Sequence, residues 1–300
     1  MLCETKSSYK MNGFFNEIAK FLSEKKIDYI IKTNGEIKYF HYRGFEHEIF
    51  LLPIAINAIY HVDAIEKQEH YKKFIDSLDN VIIITEDRWR RATTVFQKRI
   101  LSHLEKHIPI YARNCEVKRI DKITATSFMD ENHSYGSAIS KYSYGLFLKR
   151  YTGHIALDKL NSSRPNPGSL IAVAEFSGAR KWKKEGEIIR SYEWVRYASL
   201  PHIRISGGMG KLLNAFIKEV KPDDIMSYAD LEWSNGDVYK KLGFKREKDK
   251  EAVDFIISPT SWERRAIKKK PFPTSSEFRN MYYFRNFGSA KYRLKLKDYQ

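Results

Sequence analysis

Ile225-Met226-Ser227-Tyr228-Ala229-Asp230, then Trp233-Ser234-Asn235-Gly236, then Tyr239 and Leu242-Gly243-Phe244, form the stretch that decides the fold. A short apolar run ending in a polar corner reads as a buried strand over residues 224–228. Residues 236–241 read as a short helix stopped by Gly243, a common C-terminal glycine stop. Just upstream, Ser206-Gly207-Gly208-Met209-Gly210 precedes a helical pattern over residues 211–220. A glycine turn before a helix exposes backbone N–H groups at the positive helix end, where a pyrophosphate is received.

Working outward, a strand is expected over 111–119, a helix over 124–132 and a strand over 142–148. A loop rich in Asn, Ser, Pro and Gly follows over 158–168, then strands over 170–176, 187–197 and finally 252–257. The order strand, helix, two or three strands, glycine turn, helix, strand, helix, strand is that expected of a GNAT-class acyltransferase fold. The expected fold class is therefore α/β, with a central GNAT-like domain over 109–258 preceded by a smaller α/β domain over 1–108. A basic, aromatic and irregular extension occupies 259–300.

The ordered set of motifs resembles phage Mom-like DNA-modification proteins, and phage and bacterial proteins that join such a domain to a nuclease-like one. The resemblance rests on the stretch quoted first, together with Ile110-Tyr111-Ala112-Arg113, Asn132-His133, Tyr144-Gly145-Leu146-Phe147, Leu170-Ile171-Ala172-Val173 and Trp194-Val195-Arg196-Tyr197. It covers residues 108–244. It implies a transferase acting on a nucleic-acid base with an acyl-type donor, acetyl-CoA or another acyl-CoA, in the bacterial host cytoplasm if the chain is phage-encoded. Asp230 matches the aspartate taken as part of the active site, as base or metal-binding group; capping the following segment is the structural alternative. Tyr239 stands where such folds keep a general acid. His133 is a candidate base, ligand or base-edge contact, or a surface group. Arg196, Arg204, Gly207, Gly208 and Gly210 are the donor-site candidates, an ion pair with Glu193 or Glu187 being the alternative for Arg196. Tyr228, Trp233 and Asn235 are candidates for holding the substrate base, and the two aromatics are equally suited to the core. The usual acyl-CoA loop, Arg or Gln, two residues, Gly, one residue, then Gly or Ala, is matched by Arg204 and Gly207 but ends on Met209. Shifted by one, it gives Gly208 and Gly210 but starts on Ile205.

The first 108 residues open with an amphipathic helix over 11–25, with Phe14, Ile18, Phe21 and Leu22 at helical spacing. Strands over 29–32, 36–42, 48–60 and 81–85 and helices over 64–78 and from Glu86 to about residue 106 complete the pattern. This order is similar to that of very-short-patch-repair-like and homing endonucleases, in a degenerate form. Glu48 matches the first acid of their divalent-metal site, whereas the second acidic position falls at Asn57, a weak ligand. His61 and Asp63, with Glu66 and His70, form an alternative polar group. Glu86 and Asp87 are explained by capping the helix they open.

Fifty-three basic against 37 acidic residues give a formal charge of +16, a field that favours nucleic acid, DNA ahead of RNA, as partner. Basic residues recur beside aromatics at Lys181-Trp182-Lys183-Lys184, Trp262-Glu263-Arg264-Arg265 and Tyr282-Tyr283-Phe284-Arg285. No apolar run is long enough to span a bilayer, and Cys3 and Cys115 make no disulfide framework, which points to a reducing cytoplasm. A metal-dependent endonuclease and a non-catalytic DNA-binding protein stand as alternatives to the transferase.

Overall fold

A computed structural model describes residues 7–43, 48–54, 61–78, 80–104, 107–151, 164–184, 186–267 and 280–298, with the backbone alone for 7–12, 48–49 and 61–64. Its first elements are α1 (Ser7–Glu24), β1 (Ile30–Asn34), β2 (Ile37–Arg43), β3 (Glu48–Ile54), α2 (His61–Asp76), β4 (Val81–Thr85) and α3 (Glu86–His103). Next come β5 (Ile108–Tyr111), a 3-10 turn (Ala112–Asn114), β6 (Cys115–Arg119), α4 (Lys122–Asn132), β7 (Tyr142–Leu148), β8 (Leu170–Phe176), β9 (Arg180–Lys184) and β10 (Glu187–Ser199). The remainder is β11 (Ile203–Ser206), α5 (Gly208–Val220), β12 (Asp224–Asp230), α6 (Asp237–Lys241), β13 (Lys245–Arg246), β14 (Asp254–Ile257), β15 (Arg264–Ala266), β16 (Tyr282–Arg285) and β17 (Ser289–Lys295). The chain is thus a mixed α/β protein with several sheets. Among the described residues no helix is long and apolar enough to cross a membrane.

The chain divides into two compact units built from interleaved segments, where contiguous domains 1–108, 109–258 and 259–300 are expected. The first unit is Met1–Gln97 with Asp230–Ser234 and Lys250–Ser289; the second is Lys98–Ala229 with Asn235–Asp249 and Ala290–Gln300.

In the first unit, β1, β2 and β3 pair antiparallel and β4 joins β3 in parallel. Phe14, Ile18, Phe21 and Leu22 of α1 are all buried, as their spacing predicts. Trp89 meets the edges of Phe14 and Phe21 and donates its indole N–H to Glu17 (3.2 Å). Within the segment 259–300, expected to be irregular, Arg264–Ala266, Tyr282–Arg285 and Ser289–Lys295 form strands instead. β15 and β16 flank β14, and Phe284 and Phe287 share one core cluster with Ile37, Leu52, Ile54, Ile83 and Ile257. The arginines among these aromatics mask their apolar pattern, because the structure buries the charges on partners: Asp254 accepts from Tyr283 (2.6 Å) and pairs with Arg285 (3.2 Å). β14, expected as the last strand of the central domain, belongs to this small sheet.

The second unit is dominated by the sheet ordered β13-β17-β12-β10-β8-β7-β6, with β9 hairpinned on β10. α5 covers one face through Phe216, which stacks on Phe176 at 4.0 Å and meets the edges of Tyr142, Tyr144 and Tyr192. α4 covers the other face with Ala125, Phe128 and Met129 against Val173 and Ala198. Asp121 caps α4, accepting from the Thr124 backbone N–H at 2.8 Å. The single strand expected over 111–119 is broken by the 3-10 turn. β5 pairs with β11 in parallel, while β6 pairs with β7. The break is held by Lys211, whose ammonium donates to Ala112 O (2.9 Å) and Cys115 O (2.6 Å).

Candidate functional site

The site in the second unit grows from a fault in its sheet. β10 and β12 run parallel, and they pair only over Ser191–Glu193 against Asp224–Met226. Beyond Glu193 the register of β10 on β8 shifts between Trp194 and Arg196, leaving Val195 as a bulge. The carbonyls around the bulge are taken by side chains. Trp194 O accepts from Ser227 Oγ (2.9 Å), Val195 O from Arg196 Nη1 (3.0 Å) and Arg196 O from the Trp194 indole (3.0 Å). Backbone groups that a regular ladder would occupy are therefore satisfied without closing the two strands.

Tyr239, from α6, turns its hydroxyl into this region, 2.9 Å from the buried Ser227 Oγ, and its ring stacks on Tyr292 at 5.2 Å. Burial, with the Tyr292 phenol beside it, raises the Tyr239 pKa, against the opposing pull of Ser227 and Arg196. The phenol is thereby kept protonated. Arg196 lies over the Tyr135 ring at 5.8 Å, and Tyr135 lies 6.2 Å from the His133 ring. His133 Nδ1 accepts the Tyr135 backbone N–H at 3.1 Å, which makes this nitrogen the unprotonated one. His133, Arg196 and Tyr239 therefore belong to one chain of neighbours. Burial lowers the Arg196 pKa, while Glu175 and Glu193 support its charge.

The glycine turn lies at the head of α5. Gly207 has φ +77°, a conformation that strains other residues, and a Cβ on Gly208 would come within 2.8 Å of Ile205 Cγ2. These constraints explain why the helix starts at Gly208, three residues before its expected start. The first intrahelical bond is Lys211 N–H to Gly207 O, so the amides of Gly208, Met209 and Gly210 precede it. A cleft of about 560 Å³ beside the turn is lined by Val117, Gly207, Gly210, Lys211, Asn214 and Lys218. Arg204 is exposed on β11 and is not among these lining residues.

The other candidates fall elsewhere. Asp230 belongs to the first unit, where its carboxylate accepts from Arg88 Nη2 (2.6 Å) and from the Glu232 backbone N–H (3.0 Å). The second contact is the cap offered above as the structural alternative. Arg88 also approaches Glu232 (3.4 Å), and Arg264 binds both Glu232 and Asp87. Trp233 packs its ring against the edge of Phe96 at 5.2 Å, a core contact. Asn235 is turned onto Asp237, Nδ2 to Oδ2 at 2.5 Å, and Tyr228 is half-buried on β12. Glu48 opens β3 and His61 and Asp63 open α2, but their side chains, and all of Asn57, lie outside the described residues. Among the described residues no group of three or more His, Cys, Asp or Glu is arranged to hold a metal.

Sequence reasoning passed over Glu175, which is 1% exposed and the one charged residue in the run Leu170-Ile171-Ala172-Val173-Ala174-Glu175-Phe176. That isolation inside an apolar strand is the signal that would have found it. Ser227, quoted only as part of a motif, is the second such residue.

No protein-family model and no curated protein matches the chain. Among solved structures, the NatC complex bound to Gag peptide and CoA is similar, with a TM-score of 0.33 and 14% identity, covering 61% of this chain and 99% of that one.

Proposed function

We propose that the second unit is an acyltransferase domain of the GNAT-like, Mom-like class, passing an acyl group from an acyl-CoA donor to an amino group of a nucleic-acid base. The observation that carries this reading is the parting of β10 from β12 after three residue pairs, in a unit whose α5 is opened by a glycine turn. The internal pyrophosphate of such a donor fits the amides of Gly208, Met209 and Gly210, with Lys218 and Asn214 along the cleft. Bound there, the donor supplies an acyl thioester. Lys211 contributes less charge than its position suggests, since it is committed to two carbonyls.

As the C–N bond forms and the C–S bond breaks, Tyr239 gives its proton to the departing sulfur and the proton lost by the amino nitrogen restores the phenol through solvent; burial keeps the resting phenol protonated at neutral pH. Ser227 fixes the phenol's direction while tying the bulge. Arg196 and His133 line the acceptor side. Asp230 anchors the segment 230–234 in this reading and is not the base, because its oxygens serve Arg88 and a backbone amide. The charge of +16 supports a polyanionic acceptor, DNA ahead of RNA.

The test is to incubate the full chain with radiolabelled acetyl-CoA and duplex DNA or RNA, digest to nucleosides and separate by mass. A labelled nucleoside with the predicted mass increment supports the proposal. Its absence there, and in nucleosides from cells expressing the protein, overturns it.

A further inference from the structure

A polar row crosses the α4 side of the second unit's sheet. Ser143 on β7, Glu175 on β8 and Arg196 on β10 are direct register partners, so their side chains share one face. The neighbours on that face are apolar, Val173 and Ala198 beneath α4. Glu175 Oε1 accepts from Ser140 Oγ at 2.8 Å. Its other oxygen, Oε2, is buried and has no hydrogen-bond partner, and neither has Arg196 Nε. Arg196 spends Nη1 on the carbonyl of its own neighbour Val195, and the two charged groups form no salt bridge.

Burying an unmade acceptor beside an unmade donor is costly unless something fills both. A lone buried carboxylate would draw a cation. With Arg196 as its electrostatic neighbour the pair is balanced, and suits a neutral edge carrying an N–H next to a lone pair. The amino edges of adenine and cytosine have that pattern, an exocyclic N–H₂ beside a ring nitrogen. Arg196 is half-buried and lies 5.8 Å from the ring of Tyr135, which is exposed and on which a base can stack.

We infer that Glu175 and Arg196 form the subsite for the acceptor base, Glu175 receiving the exocyclic N–H and Arg196 donating to the adjacent ring nitrogen. This deepens the proposed function and rests on it for the reaction, though the binding itself stands apart. Glu175 is a positioning residue for the amino group.

The experiment measures binding to the full chain, without donor, of adenosine and cytidine and of their N6,N6-dimethyl and N4,N4-dimethyl counterparts, by titration calorimetry and saturation-transfer NMR. The wild type should favour at least one parent nucleoside over its dimethyl form by about tenfold or more, since a site built for an N–H rejects an analogue lacking it. Glu175→Gln, with the same size and unchanged thermal unfolding, should shrink that preference to about threefold or less. No binding of either nucleoside, equal binding of parent and dimethyl forms, or a preference that survives in Glu175→Gln overturns the inference. Stabilisation of the wild type by CoA, measured alongside, separates the two claims. CoA binding without base discrimination removes the subsite and leaves the donor site, and the converse leaves the subsite.

Discussion

Replacing Arg264 with Met tests the charge network that anchors residues 230–234 of the first unit. The guanidinium binds Asp87 through Nε and Nη2, both oxygens of Glu232 through Nη1 (3.0 and 3.1 Å) and Thr85 through Nη2 (3.0 Å). Its two acidic partners have side chains only 2% and 1% exposed. Removal strands both carboxylates, and breaking a buried pair from one side costs about 3–5 kcal/mol. Two contacts soften the loss: Glu232 keeps Arg88 at 3.4 Å, and Asp87 keeps its place in the first turn of α3. A loss of about 4 kcal/mol at pH 7.5 is therefore expected.

The pH dependence has a definite sign. Burial raises the Glu232 pKa above 4.5, opposed by Arg264 and Arg88. Without Arg264 it rises further. Between the unfolded value and the folded one the native state holds the extra proton, so stability increases as pH falls. The variant's deficit should shrink on going from pH 7.5 to 5.5, by at most about 1.4 kcal/mol per pH unit. Hydrogen exchange of the β4 and α3 amides against urea reads this locally, which a global melt of two units does not. A deficit below about 1 kcal/mol, or one that grows on acidification, would refute the reasoning.

Tyr239→Phe should slow transfer about 10²- to 10⁴-fold with CoA binding intact, and cost about 1 kcal/mol for the lost contact with Ser227; single-turnover kinetics and urea titration check these. Gly207→Val should lose about 1–2 kcal/mol and the stabilisation conferred by CoA, whereas Gly207→Asn, which tolerates φ +77°, should retain most of both in thermal-shift assays. Phe216→Ala removes the ring stacked on Phe176 and should cost about 3–5 kcal/mol by chemical denaturation.

Periodicity made the second unit's sheet legible. The strands Tyr142–Leu148 and Leu170–Phe176 are found at their expected bounds, because each is a mostly apolar run, broken only by Ser143 and Glu175, that is buried on both faces. What periodicity does not carry is pairing. Nothing in Trp194-Val195-Arg196 announces a bulge, since the fault arises from register against β8 and from a serine 33 residues away. The strands β15, β16 and β17 are hidden in the sequence for a related reason, as Arg264, Arg285 and Arg293 within them pair with acids distant in sequence. Asp230 was visible as a polar strand end, but its partner Arg88 lies 142 residues earlier, and only the fold connects them.

Interleaving of the first unit has a consequence for synthesis. Ile37, Leu52 and Ile83 share a core cluster with Ile257, Phe284 and Phe287. On the ribosome, this core therefore waits for Phe284 and Phe287, at ordinary elongation rates about ten seconds or more after β4 emerges. Until then β1 to β4 carry an incomplete apolar face, a natural point for chaperone capture and for aggregation of truncated products. Expression trials that stop near residue 108 or 258 would remove that late contribution.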